Sequence, residues 1–217
     1  MKRQITDLQV QKKHPNRRSI FLDGKFFCGV SDEVAARFHL KCGMEINEDE
    51  LKDLLHEEEL SKAKNYVYRI LARRMYTNKE IRDKLVEREY LDKIIEEVIS
   101  TLERYGYLND RTYAEEWIRS RMRSKPKGKI ALRQELARKG VDKSIIEDTL
   151  NQEFDESREM DMVLELARRK IKSYSRDEPF AARRKLKSFL LRRGFKYDTV
   201  KYAVDQVMNT EDLEMGI

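Results

Sequence analysis

The strongest constraint on this 217-residue chain is an internal repeat. With Leu85, Leu136 and Leu190 in register and no gaps, three segments superpose: Lys84-Leu85-Val86-Glu87-Arg88-Glu89-Tyr90, Glu135-Leu136-Ala137-Arg138-Lys139-Gly140-Val141 and Phe189-Leu190-Leu191-Arg192-Arg193-Gly194-Phe195. The same register places Ile94-Ile95 on Ile145-Ile146 and Thr199-Val200, and Ile99 on Leu150 and Val204. The anchors lie 51 and 54 residues apart. Such a period means stacked supersecondary repeats, each with too thin a core to stand alone.

Each repeat reads as three helices. The first runs from Leu60 to Met75, Asn78 to Arg88 and Asp92 to Tyr105, with Thr77-x-x-Glu80 as a capping box before its second helix. The second starts at an Asp110 cap, continues from Lys127 to Lys139, where Gly140 supplies a left-handed stop, and ends near Phe154. The third spans Glu156 to Ser173, Glu178 to Arg193 and Tyr197 to Met208, with Ser175-x-x-Glu178 as a second capping box and Pro179 in the first helical turn. Gly194 repeats the role of Gly140; Glu89 holds that position in the first repeat, whose turn must close without glycine. Recurring Leu, Ile and Val at i, i+3 and i+4 form the core, joined by Tyr113 and Trp117. The link Gly106-Tyr107-Leu108-Asn109-Asp110 reads as a helix stop, an apolar plug and a cap, a structural role rather than a partner contact.

The first 30 residues differ. Ile5–Lys12, Arg18–Leu22 and Lys25–Val30 predict an antiparallel sheet of three strands, turning at Pro15-Asn16 and at Asp23-Gly24. A short helix follows from Asp32 to His39 with Ser31 as N-cap; Lys41-Cys42-Gly43 ends it and Asn47 caps the next. The expected fold is mainly α: tandem three-helix repeats in an elongated, curved array behind a small N-terminal β-containing module. The expected segments are 1–46 (the module), 47–59 (an acidic helical linker), 60–108, 109–154 and 155–209 (the repeats) and 210–217 (an acidic tail).

Composition narrows the function. Charged residues make up 40% of the chain, against roughly 25% in an average globular protein. Only 8 glycines and 3 prolines are present, and no G-x-G-x-x-G or G-x-x-x-x-G-K-[ST] occurs. Turn-rich β-sandwiches and nucleotide-binding sheets are thereby disfavoured. Cys28, His39, Cys42 and His14 fit no common zinc spacing and read as ordinary side chains. No nucleophile motif accompanies the histidines, and the carboxylates lie within charged helical faces, so neither catalysis nor a cofactor is expected. With no apolar run near 20 residues and no signal-like start at Met1-Lys2-Arg3-Gln4-Ile5, a soluble cytoplasmic monomer is expected, without membrane attachment.

Net charge is +6, but its distribution is uneven. Residues 45–59 are acidic. Residues 119–139 carry Arg119, Arg121, Arg123, Lys125, Lys127, Lys129, Arg133, Arg138 and Lys139 against Glu135 alone. Residues 168–196 carry Arg168, Arg169, Lys170, Lys172, Arg176, Arg183, Arg184, Lys185, Lys187, Arg192, Arg193 and Lys196 against Asp177 and Glu178. Runs so unbalanced repel themselves and predict a positive stripe that meets a polyanion or an acidic protein surface. The candidate contacts are the nine in the first block together with Arg168, Arg169, Lys170, Arg183, Arg184, Lys185, Arg192 and Arg193. Their spread suits phosphates or carboxylates better than base edges.

Leu71-Ala72-Arg73-Arg74-Met75-Tyr76-Thr77-Asn78-Lys79-Glu80-Ile81-Arg82-Asp83-Lys84-Leu85, Tyr105-Gly106-Tyr107-Leu108-Asn109-Asp110-Arg111-Thr112-Tyr113-Ala114 and Lys127 through Val141 closely resemble the RecX regulatory proteins of bacteria. The resemblance covers residues 60–208, and G-Y-L-[ND]-D-x-x-[YF]-A is its most specific part. It departs at Asn109, where an acid is common, and at Glu89-Tyr90, where glycine is frequent. It implies tandem three-helix units that bind the RecA recombinase filament on single-stranded DNA and restrain its ATPase, strand exchange or growth, without enzymatic activity. From the residues alone the competing function is a stand-alone helical DNA-binding protein acting through the same stripe.

Overall fold

In the computed structural model β1 (Lys2–Gln11), β2 (His14–Leu22) and β3 (Lys25–Ser31) form an antiparallel meander, and β4 (Glu45–Asn47) adds to the free side of β1, in the order β3-β2-β1-β4. The structure describes residues 2–154 and 156–214, and the side chains of 2–154 and 157–209. Asp23 and Gly24 both take positive φ, 50° and 78°, as a two-residue hairpin turn requires. The first hairpin turns at Lys12-Lys13, not at the expected Pro15-Asn16: Gln11 pairs with His14. Pro15 sits inside β2 where the register slips between Val10 and Gln11, an irregularity that tolerates its missing N–H. β4, absent from the three-strand expectation, is too short for alternation to show.

The chain forms two compact units, residues 1–75 with 81–108, and residues 76–80 with 109 onward. In the first, Ile5, Ile20, Leu22, Val30, Val34 and Ile46 build a core under the sheet with Leu54. Helix α1 (Asp32–Arg37) starts at Ser31, whose hydroxyl accepts from Val34 N at 3.2 Å. Helix α2 runs unbroken from Glu48 to Leu71, so the acidic segment expected as a linker is the first half of one 24-residue helix. Asn47 and Glu50 close a capping box at its start, and Glu48, Asp49 and Glu50 sit at its positive end.

Glu58 of α2 is 2% exposed, yet two cations and a backbone amide surround it: Arg17 of β2 at 2.6 Å, Lys62 at 3.3 Å and the donating Ser31 N–H at 2.8 Å. These contacts compensate the desolvation of its charge and tie α2 to the sheet. Helix α3 (Asn78–Val86) and α4 (Asp92–Arg104) complete the first repeat. Arg82 grips Glu96 across them with two hydrogen bonds.

The second unit holds α5 (Asp110–Ser124), α6 (Lys129–Arg138) and α7 (Lys143–Glu153), then α8 (Glu156–Ile171), a 3-10 turn at Lys172–Tyr174, α9 (Pro179–Arg192) and α10 (Tyr197–Glu214). The cap of α5 is Asn109, which accepts from Thr112 N at 3.1 Å, rather than Asp110. Asp110 instead accepts from Asn78 N at 2.9 Å, at the first turn of α3. The Thr77–Glu80 box forms in both directions. The Ser175 box does not: Ser175 has helical φ and ψ, whereas a cap needs extended backbone, and α9 opens on Glu178 with Pro179 in its first turn. Residues 210–214 of the expected tail continue α10, and 215–217 lie outside the described residues.

The repeat register holds in the cores. Ile81, Leu132 and Leu186 are fully buried, as are Leu85, Leu136 and Leu190. The residue four past each of these last three takes positive φ: Glu89 60°, Gly140 81°, Gly194 82°. Each donates its N–H three residues back, to Val86, Ala137 and Leu191 respectively.

In the second unit these helix ends press on the repeat before them. The Lys139 carbonyl accepts from the Thr77 hydroxyl at 2.6 Å, and the Arg193 carbonyl, its repeat equivalent, accepts from Gly128 N at 3.0 Å. Ile130 N reaches the Gly194 carbonyl at 3.2 Å. A Cβ on Gly194 would lie 2.3 Å from Ala131 N, and one on Gly128 2.2 Å from the Gly194 oxygen.

Candidate nucleic-acid interface

The basic residues of the second repeat are less isolated in space than in sequence, because α5, α6 and α7 bring distant carboxylates to them. Arg119 on α5 reaches Glu153 on α7 at 2.6 Å, and Arg133 on α6 holds Glu147 on α7, one bond at 2.7 Å. Lys139 meets Glu80 at 2.6 Å. Glu135, the lone acid of this block, is a hub: Lys127 pairs with it, Arg121 approaches at 3.2 Å and the Trp117 indole N–H donates at 3.0 Å. Burial opposes its charge, but these partners outweigh that and hold its carboxyl below the usual range. Trp117, half-buried and stacked on Tyr113, also carries the Arg121 guanidinium 4.2 Å from its ring centroid and the Lys139 ammonium at 5.5 Å.

In the third repeat Arg169 pairs with Glu165, Arg183 with Asp205, and Lys185 with Asp177 at 2.7 Å. Four predicted contacts sit on carbonyls or rings. Lys129 donates to Phe154 O at 2.9 Å, Arg138 to Gln134 O at 3.2 Å and Arg193 to Pro126 O at 3.5 Å, while Lys170 lies 4.9 Å from the Tyr174 ring centroid. Arg123, Lys125, Arg168, Arg184 and Arg192 are exposed and have no such partner among the described residues. The predicted stripe thus divides into cations that fasten helices together and cations that face solvent. The second group can meet an anion without breaking an internal pair.

One feature lay outside the sequence-derived set. Lys187 on α9 donates to the Tyr197 hydroxyl at 2.9 Å, with its ammonium 4.3 Å from the ring centroid. Lys201 stands one turn beyond Tyr197 on α10, and Tyr197 is 55% exposed. The signal in the sequence was the repeat register, which equates Lys187 with Arg133 and Lys201 with Glu147.

The N-terminal thiols are built into the fold. Burial pushes Cys28 up to about 11, and Cys42 sits 3.0 Å from the Thr6 carbonyl. Among the described residues no group of three or more His, Cys, Asp or Glu is placed to hold a metal ion, and no helix is long and apolar enough to cross a membrane.

Family comparisons agree along the chain. Residues 3–47 match the model for the regulatory protein RecX N-terminal domain, and 63–102, 109–150 and 157–204 match the first, second and third RecX three-helix domains. The regulatory protein RecX of Clostridioides difficile (strain 630) is 31% identical over 97% of this chain and 99% of its own length. That of Bacillus velezensis is 34% identical over 97% of this chain and 81% of its own. A crystal structure of regulatory protein RecX superposes with a TM-score of 0.76 at 26% identity, covering 94% of this chain and 99% of that one. RecX from Lactobacillus salivarius gives 0.64 at 29%, covering 70% and 97%. With every repeat matched in order and the relatives aligned nearly end to end, this chain belongs to the RecX family of regulatory proteins.

Proposed function

We propose that the protein is a non-enzymatic regulator of the RecA recombinase. As a monomer it binds the RecA filament on single-stranded DNA and restrains ATP hydrolysis, strand exchange or filament growth. The observation that carries this reading is the set of solvent-facing cations on the second and third repeats, Arg123, Lys125, Arg168, Arg184 and Arg192. A surface of this kind draws a polyanion by long-range attraction and releases its counterions on binding. Arg119, Arg121 and Arg133 serve the fold through Glu153, Glu135 and Glu147, so they are poor positions for a clean test.

The test is co-sedimentation of the full chain with RecA filaments at a salt concentration that abolishes its binding to naked DNA, together with the RecA ATPase rate. Retention with slowed hydrolysis supports the reading. Combined Arg123→Ala, Lys125→Ala and Arg184→Ala should weaken retention while circular dichroism and melting stay unchanged, the loss shrinking as salt rises. Pelleting that disappears with naked-DNA binding would leave a stand-alone DNA-binding protein.

A further inference from the structure

The three repeats share a fold but differ in where an ion pair joins their second and third helices. In the first, Arg82 binds Glu96 through its two Nη atoms; in the second, Arg133 binds Glu147 through Nε and Nη2. The register puts Lys187 and Lys201 at those two positions in the third. A neutral pair has been replaced by two like charges on adjoining helices, which packing alone disfavours. No carboxylate pairs with either lysine among the described residues: Asp205 is engaged by Arg183 and Asp177 by Lys185.

Around this doublet the surface is aromatic as well as basic. Tyr197 stands one turn before Lys201 on α10, and its hydroxyl accepts from Lys187 of α9, whose bond and charge lower its pKa with a smaller contribution from Lys201 and opposition from Asp198. On α9, Phe180, Arg184 and Lys187 fall at i, i+4 and i+7, one helix face; Phe180 is 79% exposed and Arg184 is exposed without a carboxylate partner among the described residues. Solvent-facing rings interleaved with cations that no carboxylate neutralises are the combination that binds single strands, charge on the backbone and a ring under a base. An acidic protein surface would need the charges but not the exposed rings.

We propose that the α9–α10 face of the third repeat is a contact for single-stranded nucleic acid, with Lys187, Lys201 and Arg184 on phosphates and Tyr197 as a platform for a base. It rests on the proposed function only in taking nucleic acid as the polyanion. The site is separate from the helix-fastening cations of the second repeat and explains why Lys187 and Lys201 stand where the other two repeats hold an ion pair, while α9 and α10 are joined elsewhere by Arg183 and Asp205.

The test restores that pair. In the full chain, K187R with K201E rebuilds the arrangement of the first two repeats, so melting should hold or rise. Affinity for a fluorescent oligothymidylate should fall about tenfold at moderate salt, and the slope of log affinity on log salt should shrink by about 1.4, two single-strand phosphate contacts. Tyr197→Ala should weaken oligothymidylate several-fold and leave inorganic polyphosphate unchanged. Unchanged oligothymidylate affinity for K187R/K201E overturns the proposal, as does equal loss of both ligands for Tyr197→Ala. If the double variant keeps oligothymidylate but loses RecA filaments, the face meets acidic protein; the filament reading then survives and this site does not. A parent protein that binds oligothymidylate through this face but leaves the RecA ATPase untouched supports the site and removes the filament reading.

Discussion

The end of α3 and the end of α9 are the same turn built from different residues, and the contrast shows what glycine is for. Glu89 and Gly194 both sit at positive φ, 60° and 82°, and both donate three residues back into their helix. The turn itself therefore accepts a side chain. What it cannot accept at Gly194 is the Cβ, because the backbone of Ala131 in the second repeat stands 2.3 Å from where that atom would be. Glu89 is exposed. The glycine is demanded by the neighbouring repeat, and only secondarily by the dihedral.

Gly194→Ala breaks this contrast hardest. It adds the cost of a left-handed side chain to a clash with backbone, and should destabilise by on the order of 3 kcal/mol in chemical denaturation. Gly140→Ala meets Lys79 at its Cβ, 2.3 Å away and fixed by its backbone, and at Cγ and Cδ, which a rotamer change can move aside; about 2–3 kcal/mol is expected. Glu89→Gly removes strain without a neighbour to satisfy and should stabilise by up to about 1 kcal/mol. If Gly140→Ala and Gly194→Ala cost no more than Glu89→Gly gains, the neighbour is not what selects glycine.

A smaller effect sharpens the difference between the second and third repeats. Arg133→Ala removes an exposed ion pair and should cost about 0.5 kcal/mol. Arg133 holds the Glu147 carboxyl below its ordinary range, so this contribution is present above the unfolded carboxylate pKa, near 4.5, and fades as pH falls through the lower folded value. Stability curves of parent and Arg133→Ala should therefore draw together as the pH falls below 4.5. Lys187→Ala, with no carboxylate to lose, should show no such convergence.

What could be read in advance was what is periodic or local. The core positions, the Asn47 and Ser31 caps and the two glycine stops follow from spacing within a few residues, and the structure keeps them. Residues far apart in the chain were harder. Nine cations against one acid looked like an open stripe, but Arg119 finds Glu153 34 positions away and Lys139 finds Glu80 at 59. Charge counted along a chain cannot see carboxylates that a third helix delivers. Ser175 and Asp110 failed for a related reason: both have the side chain of a cap, but one has helical backbone and the other is drawn to the start of α3.

The bonds from Gly128 and Ile130 to the carbonyls of Arg193 and Gly194 join two sets of helix-end groups that would otherwise turn to water. Their consequence is thermodynamic coupling. In a repeat array, stability divides into what each repeat contributes and what each junction contributes, and here the junction is made of main chain. The first-turn amides of α6 should exchange with solvent only as fast as the third repeat opens. A chain cut before α8 would leave those donors uncapped, so the second repeat is completed by the one that follows it in sequence.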